Sequence, residues 1–187
     1  LHEQPFRIHG KPLVFVKYDE QRSACDFLDS IRDKQTGLGL FLGPTLSGKT
    51  TLLRAYAESL GNDADVAVVN GSGLNTTALL EAILGQYGFQ LDLGCVNELL
   101  NMLKVFALQR TASGHPPLLV IENTHALNAS ALRVLCELAQ LRVRHNSALR
   151  LVLASDRPID AIINAPAMEA VSSRLTGKFH LGPMSEC

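Results

Sequence analysis

The chain has 187 residues, of which 47% are hydrophobic and 19% are charged, and its formal net charge is −1. A composition of this kind is typical of a globular domain and excludes disordered and fibrous proteins. Because the net charge is close to zero, the chain as a whole does not attract nucleic acid or membrane surfaces, and such a partner would need a local basic patch. The length favours one domain with a single core.

The four cysteines are Cys25, Cys95, Cys136 and Cys187, and no two of them form a C-x-x-C pair. This spacing argues against a zinc site and against a disulfide framework, so we expect small apolar residues in a reducing compartment. No apolar run approaches the ~20 residues that span a bilayer, and no secretory signal opens the chain, which predicts a cytoplasmic location. The first residue is Leu1 rather than Met, which suggests a piece of a longer protein.

Apolar periodicity predicts helices and strands that alternate along the chain, as in three-layer α/β folds. After a linker at about residues 1–18, residues 19–34 have apolar positions at helical spacing, and the apolar run at 38–42 is typical of a buried parallel strand. The next helix is expected to stop at Gly61. The remaining predicted elements are a strand at 66–69, helices at about 76–87 and 96–112, a strand at 118–121, a helix that follows the N-cap residue Asn128 and runs to about Arg144, and strands at 149–154 and 178–181.

A phosphate-binding loop is predicted between the strand at 38–42 and the helix after it. The sequence GPTLSGKTT fits the pattern G-x-x-x-x-G-K-S/T, in which the glycines let backbone N–H groups approach phosphate oxygens. Lys49 would bind the β- and γ-phosphates, and the hydroxyl of Thr50 would bind the accompanying Mg²⁺. The start of the following helix favours the same anion. The residues predicted to bind a nucleoside triphosphate are Gly43, Pro44, Thr45, Leu46, Ser47, Gly48, Lys49, Thr50 and Thr51.

An acid is expected at the end of a second apolar strand, and LLVIEN at 118–123 supplies Glu122. A carboxylate there can hold Mg²⁺ through its water shell, or it can be a solvated acid at a strand end. Asn123 follows it, and an amide is a much poorer base than a carboxylate, although it can still orient a water molecule by hydrogen bonding. This residue puts rapid hydrolysis in doubt. His125 can compensate by orienting a water molecule or can be a hydrogen-bonded loop residue.

The roles of several further polar residues each have two interpretations. Ser155 and Asp156 end a strand and can contact the γ-phosphate or make an ordinary turn before proline. Arg174 can reach a nucleotide held by a neighbouring subunit or can be a surface residue. A basic group on the predicted helix after the acidic strand can touch an acidic partner or nucleic acid, or form a solvated face; its members are Arg133, Arg142, Arg144 and His145.

Four segments, in the order in which they occur, resemble motifs of the AAA+ ATPases: GPTLSGKTT, LLVIENTHAL, LRLVLASDRP and SSRLTGKFHL. More narrowly, the chain is similar to the branch that contains the ExeA/GspA-type ATPases of bacterial general secretion and the related transposition ATPases. Two further segments also resemble that branch, namely Pro5-Phe6 near the start and VNGSGLNTTALLEAILGQYGF. The resemblance implies a P-loop domain over 1–187 with an α/β core at about 19–183. It also implies a central parallel sheet and a helical lid that lies beyond Cys187, where the chain stops.

The resemblance also implies roles for individual residues. It makes Glu122 the metal-site acid, places Asn123 where the family's catalytic glutamate lies, puts Ser155 or Asp156 at the first sensor and makes Arg174 an arginine finger. Adenine would pack near residues 8–14. The implied cofactors are ATP and Mg²⁺, and the implied partners are copies of the chain and proteins of a larger assembly, with DNA less favoured. An inner-membrane tether would lie in a region outside the chain.

Two classes of function remain open. The first is an ATPase module that remodels or assembles a partner complex. The second is a switch or scaffold that binds ATP and hydrolyses it slowly or not at all, which Asn123 favours. A small-molecule kinase shares the phosphate loop, but the sequence offers no evident acceptor site or arginine-rich lid.

Overall fold

The computed structural model of the protein describes residues 6–8, 11–13, 19–33, 37–61, 65–90, 94–157, 169, 173 and 175–183. The helices are α1 (Asp19–Asp33), α2 (Lys49–Ser59), α3 (Thr76–Gln86), α4 (Val96–Ala112) and α5 (Ala129–Gln140), with a short 3₁₀ turn at Thr124–Ala126. The strands are β1 (Phe6–Ile8), β2 (Lys11–Leu13), β3 (Leu38–Leu42), β4 (Val66–Asn70), β5 (Leu118–Glu122), β6 (Arg142–Val143), β7 (Asn146–Ser147), β8 (Arg150–Ser155) and β9 (Gly177–His180). Within these ranges no helix is both long and apolar enough to cross a bilayer.

The predicted central parallel sheet is confirmed. In the described part of the chain it has five strands in the order β4-β5-β8-β3-β9, and each neighbouring pair is parallel. Parallel strands end at one edge of a sheet, so the loops that follow β3, β8, β5 and β4 lie side by side there. Since β8 pairs with both β3 and β5, its carboxyl end lies between the other two.

Helices cover both faces of the sheet, which gives the three predicted layers. Alternate residues of a strand point to opposite faces, so Leu40 and Ile121 join one apolar core with α3, α4 and α5. Phe41 and Val152 join a second core with α1 and α2. All residues of β3, β5 and β8 are buried, as expected for strands covered on both faces.

Three aromatic rings anchor β3 from the side of α1. The ring centroid of Phe41 lies 5.2 Å from that of Phe179 on β9 and 6.3 Å from that of Phe27 on α1. The rings of Phe27 and Phe179 are 5.6 Å apart, and Phe41 is fully buried. These separations are in the range in which aromatic rings attract one another, so the cluster fixes the strand that carries the phosphate-binding loop.

The predicted extent of the helix after the acidic strand is wrong at its carboxyl end. Asn128 caps α5 as predicted, because its side chain accepts a 2.8 Å hydrogen bond from the N–H of Ala131. The helix ends at Gln140, however, and Arg142 and Val143, which were predicted to extend it, form β6 and pair antiparallel with β7. The turn between the strands includes Arg144 at φ 57°, and the N–H of Ala148 bonds the carbonyl oxygen of Leu141 at 2.9 Å.

The physical reason is that the hairpin provides hydrogen-bond partners for backbone groups that a longer helix would leave unpaired at its carboxyl end. The β-branched Val143 also favours a strand over a helix. Arg142, Arg144 and His145 are therefore exposed on a hairpin and do not share a helix face with Arg133.

Candidate functional site

The phosphate-binding loop joins β3 to α2 as the sequence predicts. The N–H of Gly43 donates a 3.2 Å hydrogen bond to the carbonyl oxygen of Ser155 on β8, which fixes the start of the loop. A Cβ at Gly43 would lie 2.6 Å from the carbonyl oxygen of Leu181, so a larger residue does not fit. Gly48 has φ 81° and precedes α2, where no described side chain caps the helix. The first N–H groups of α2 therefore remain available to an anion.

The ammonium group of Lys49 lies against the loop that precedes it. Its Nζ donates to the carbonyl oxygens of Gly43 at 2.8 Å and Pro44 at 2.7 Å. Burial lowers the pKa of Lys49, and the carboxylates of Asp156 and Glu122 oppose that shift. The cation and the two acids thus share one small region at the carboxyl edge of the sheet.

Glu122 and Asn123 leave β5 in the predicted order but have different surroundings. Glu122 ends the strand and is only 4% exposed. Asn123 has φ 53°, and its Nδ2 donates a 2.8 Å hydrogen bond to Oδ1 of Asn70 at the end of β4. The same oxygen accepts from the N–H of Ser72 at 3.0 Å. The side chain of Asn123 is therefore held toward β4, which lies at the edge of the sheet farther from the phosphate-binding loop.

On the other side, the ends of β5 and β8 are joined through His125. Its Nδ1 lies 3.1 Å from Oγ of the fully buried Ser155 and 3.1 Å from Oδ1 of Asp156. Asp156 in turn accepts a 2.9 Å hydrogen bond from the hydroxyl of Thr45 in the phosphate-binding loop. That hydrogen bond lowers the pKa of Asp156, with smaller contributions from His125, Arg157 and Lys49 and an opposing one from burial.

Sequence reasoning missed one residue and one contact of this region. Asn70 was not singled out, although it ends a strand next to β5 and parallel ends meet at one edge. The hydrogen bond between Thr45 and Asp156 joins residues that are far apart in the chain, and no local sequence pattern predicts it.

The donor set suits a hard divalent cation. Such ions prefer carboxylate and hydroxyl oxygens. The buried carboxylate of Glu122 lies near Lys49 and Asp156 at the start of α2, and the hydroxyl-bearing Thr50 is exposed there. Among the described residues there is no group of three or more His, Cys, Asp or Glu side chains that could hold a metal ion by themselves. A metal here would therefore depend on a phosphate ligand and water as well.

The arrangement of strands and loop is matched by a known family. The AAA domain family matches residues 31–163 of the chain, which is more than half of its length. The chain belongs to the AAA domain family. The predicted membership of the AAA+ class is thereby confirmed.

Individual relatives of this AAA domain are distant. It is 24% identical over 186 residues to general secretion pathway protein A of Aeromonas hydrophila, covering 99% of this chain and 34% of that protein. The chain thus spans about a third of the curated relative's length.

Two solved structures have the same fold. Cdc6p from Pyrobaculum aerophilum matches with a TM-score of 0.66 and 21% identity, over 87% of this chain and 44% of that one. The ORC2 protein of Aeropyrum pernix, in ADPNP–ADP complexes, matches with a TM-score of 0.60 and 19% identity, over 88% and 47%. At these identities the likeness concerns the fold.

The structure describes only some of the residues that were predicted to belong to the nucleotide site. Thr50 and Thr51 lie exposed in the first turn of α2, and Ser47 is buried in the loop. Arg174, the predicted arginine finger, lies outside the described residues. Of the region predicted near adenine, 8–14, the backbone of β1 and β2 is described as an antiparallel pair.

Leu46 is an unusual residue at the tip of the phosphate-binding loop. It has φ 64°, in the left-handed region, and its side chain is 88% exposed. A residue with a Cβ is strained there by about 1–2 kcal/mol, and this exposed leucine gains almost no burial in return. The loop geometry therefore favours glycine at this position.

We expect Leu46→Gly to raise the free energy of unfolding by about 0.5–1 kcal/mol, after allowance for the greater freedom of glycine in the unfolded chain. Urea denaturation at constant pH measures the change. Leu46→Ala is the matched control, because it removes the leucine side chain and keeps the strain, and it should change the free energy of unfolding by less than about 0.5 kcal/mol. Equal effects of the two substitutions would contradict the assigned strain.

Proposed function

We propose that this AAA domain binds ATP with Mg²⁺ at the phosphate-binding loop and hydrolyses it to remodel or assemble a partner complex. The observation that carries the proposal is the convergence of three features at one edge of the sheet: the uncapped start of α2, Lys49 and the buried Glu122. A helix start and an ammonium group attract phosphate, and a carboxylate beside them attracts the metal that accompanies it.

Each predicted residue has a part in this proposal. Backbone N–H groups of residues 43–51 bind the phosphates, and Lys49 exchanges the carbonyl oxygens of Gly43 and Pro44 for β- and γ-phosphate oxygens. Glu122 and the hydroxyl of Thr50 hold Mg²⁺. When bound, the ion neutralises charge that develops on the phosphate oxygens.

Residues after β8 would respond to the γ-phosphate. Ser155 is buried beside the loop, and Asp156 is already bonded to Thr45, so a phosphate that moves the loop also moves this contact. Arg174 is proposed as an arginine finger that acts on the nucleotide of a neighbouring copy. Such an arrangement requires a homo-oligomer, which can be tested by the concentration dependence of hydrolysis.

A second candidate function is a switch that holds ATP without rapid hydrolysis. The specific observation that favours it is the 2.8 Å bond from Asn123 to Asn70, which directs the amide away from the phosphate-binding loop. An amide in that position neither accepts a proton from water nor orients it.

The proposed partner class is a protein assembly of the secretion or export type. This follows the name of the Aeromonas relative, a general secretion pathway protein, and remains a proposal because the chain spans 34% of that protein. The net charge of −1 makes DNA a less favoured partner. A cytoplasmic site of action, with a membrane tether in a further region, is proposed with the same partner class.

The fate of bound nucleotide separates the two functions. The protein is incubated with labelled ATP and Mg²⁺, the complex is isolated at successive times, and its nucleotide is identified by chromatography. The ATPase proposal predicts ADP that accumulates with time. Retained, unchanged ATP would favour the switch, and absence of bound nucleotide would contradict both.

A further inference from the structure

Two polar side chains just after β5, those of Asn123 and His125, are held in opposite directions. Asn123 bonds Asn70 on β4, whereas His125 contacts Ser155 and Asp156 at the end of β8. In the sheet β8 is the neighbour of β3, the strand that leads into the phosphate-binding loop. Of the two side chains, the histidine is therefore the one on the side where a γ-phosphate would lie.

The hydrogen bonds around Ser155 favour one position for the proton of His125. The hydroxyl of Ser155 donates its single proton to the carbonyl oxygen of Arg157 at 2.9 Å and accepts from the N–H of Arg157 at 3.2 Å. Toward Nδ1 of His125 the same oxygen can then only accept. Oδ1 of Asp156 lies 3.1 Å from the same nitrogen without a hydrogen bond to it, so it places a negative charge beside the ring. We therefore assign the proton of the neutral ring to Nδ1, which leaves a lone pair on Nε2.

The histidine is also linked to the phosphate-binding loop. Asp156 holds Thr45 of that loop through a 2.9 Å hydrogen bond, so the imidazole and the loop share one carboxylate. The side chain of His125 is 20% exposed, which leaves it accessible to water. An acceptor that holds Nδ1–H, here the hydroxyl of Ser155, leaves Nε2 basic, as in histidines that act as general bases.

We propose that Nε2 of His125 accepts the proton of the attacking water in ATP hydrolysis, the task that Asn123 cannot perform. The inference rests on the proposed function. The water oxygen bonds to the γ-phosphorus while the bond from that phosphorus to the β,γ-bridging oxygen breaks, and the bridging oxygen leaves with its electron pair on ADP. The water proton passes to Nε2, and the resulting imidazolium lies beside the negative charge of Asp156. Loss of this proton to solvent then restores the neutral ring.

The test compares single-turnover hydrolysis and equilibrium binding of ATP in the wild type, His125→Ala and His115→Ala. His125→Ala should bind ATP within about threefold of the wild type and hydrolyse the bound ATP about 10²-fold more slowly. His115→Ala is the matched control, since His115 is exposed at the opposite edge of the sheet, just before β5, and it should behave as the wild type.

The outcomes separate this inference from the proposed function. Hydrolysis by His125→Ala at the wild-type rate, or a slower rate that weaker ATP binding explains, would overturn the role of the histidine and leave the ATPase intact. A wild type that binds ATP without hydrolysing it would overturn the inference and support the switch. A wild type that binds no ATP would remove the proposed function and the inference together.

Discussion

Lys49→Ala should lower ATP turnover about 10²- to 10³-fold, because it removes a fixed positive charge from the place where negative charge develops on the phosphates. The ammonium already lies within 2.8 Å of two loop carbonyl oxygens, so it needs only a small movement to reach a phosphate. The carboxylates of Asp156 and Glu122 near it would repel ATP once the cation is gone. The measurement is ADP formed per chain under single-turnover conditions.

Lys104→Ala is the control for this prediction. Lys104 lies on α4, 3.9 Å from Glu137, and takes no part in the phosphate-binding loop. Its removal should leave turnover and binding unchanged within error. If Lys49→Ala and Lys104→Ala hydrolyse ATP equally well, hydrolysis does not occur at this loop.

Phe41→Ala should lower the free energy of unfolding by about 3–5 kcal/mol, the usual cost of a large cavity in a packed core. Phe41 is fully buried and contacts the rings of Phe27 and Phe179, so its removal leaves these two rings with only each other and opens a cavity beside them. Because the same strand leads into the phosphate-binding loop, the thermal midpoint and the temperature at which ATP binding is lost should fall together. Urea denaturation measures the free energy.

Val105→Ala is the control for the core. Val105 is 51% exposed on α4, so its truncation should change the free energy of unfolding by about 0.5 kcal/mol or less. A cost below about 1 kcal/mol for Phe41→Ala would mean that the aromatic cluster collapses around the space or contributes little.

Most of the sheet could be predicted from the sequence because its strands are short, continuous apolar runs. Those runs alternate with helical periodicity, and Gly61 and Asn128 mark helix ends by local backbone chemistry. The end of α5 could not be predicted in the same way. It depends on the hairpin of β6 and β7 and on the bond from Ala148 to Leu141, which compete with helical hydrogen bonds.

At the site, the loop was predictable because its residues are adjacent in sequence. The directions of Asn123 and His125 were not, because they depend on partners that the fold brings in from β4 and β8. Asp156 is the clearest case: a turn residue in the sequence becomes the partner of both His125 and Thr45 in the structure. The roles assigned to Glu122, Ser155 and Arg174 remain predictions.

The most direct test of the account is a calorimetric titration of the protein with ATP in the presence of Mg²⁺, repeated with Lys49→Ala and Lys104→Ala. A nucleotide site at the phosphate-binding loop predicts saturable binding of one ATP per chain in the wild type and in Lys104→Ala. Lys49→Ala should lose this binding. The absence of binding in the wild type, or binding that survives Lys49→Ala unchanged, would contradict a nucleotide site at the phosphate-binding loop.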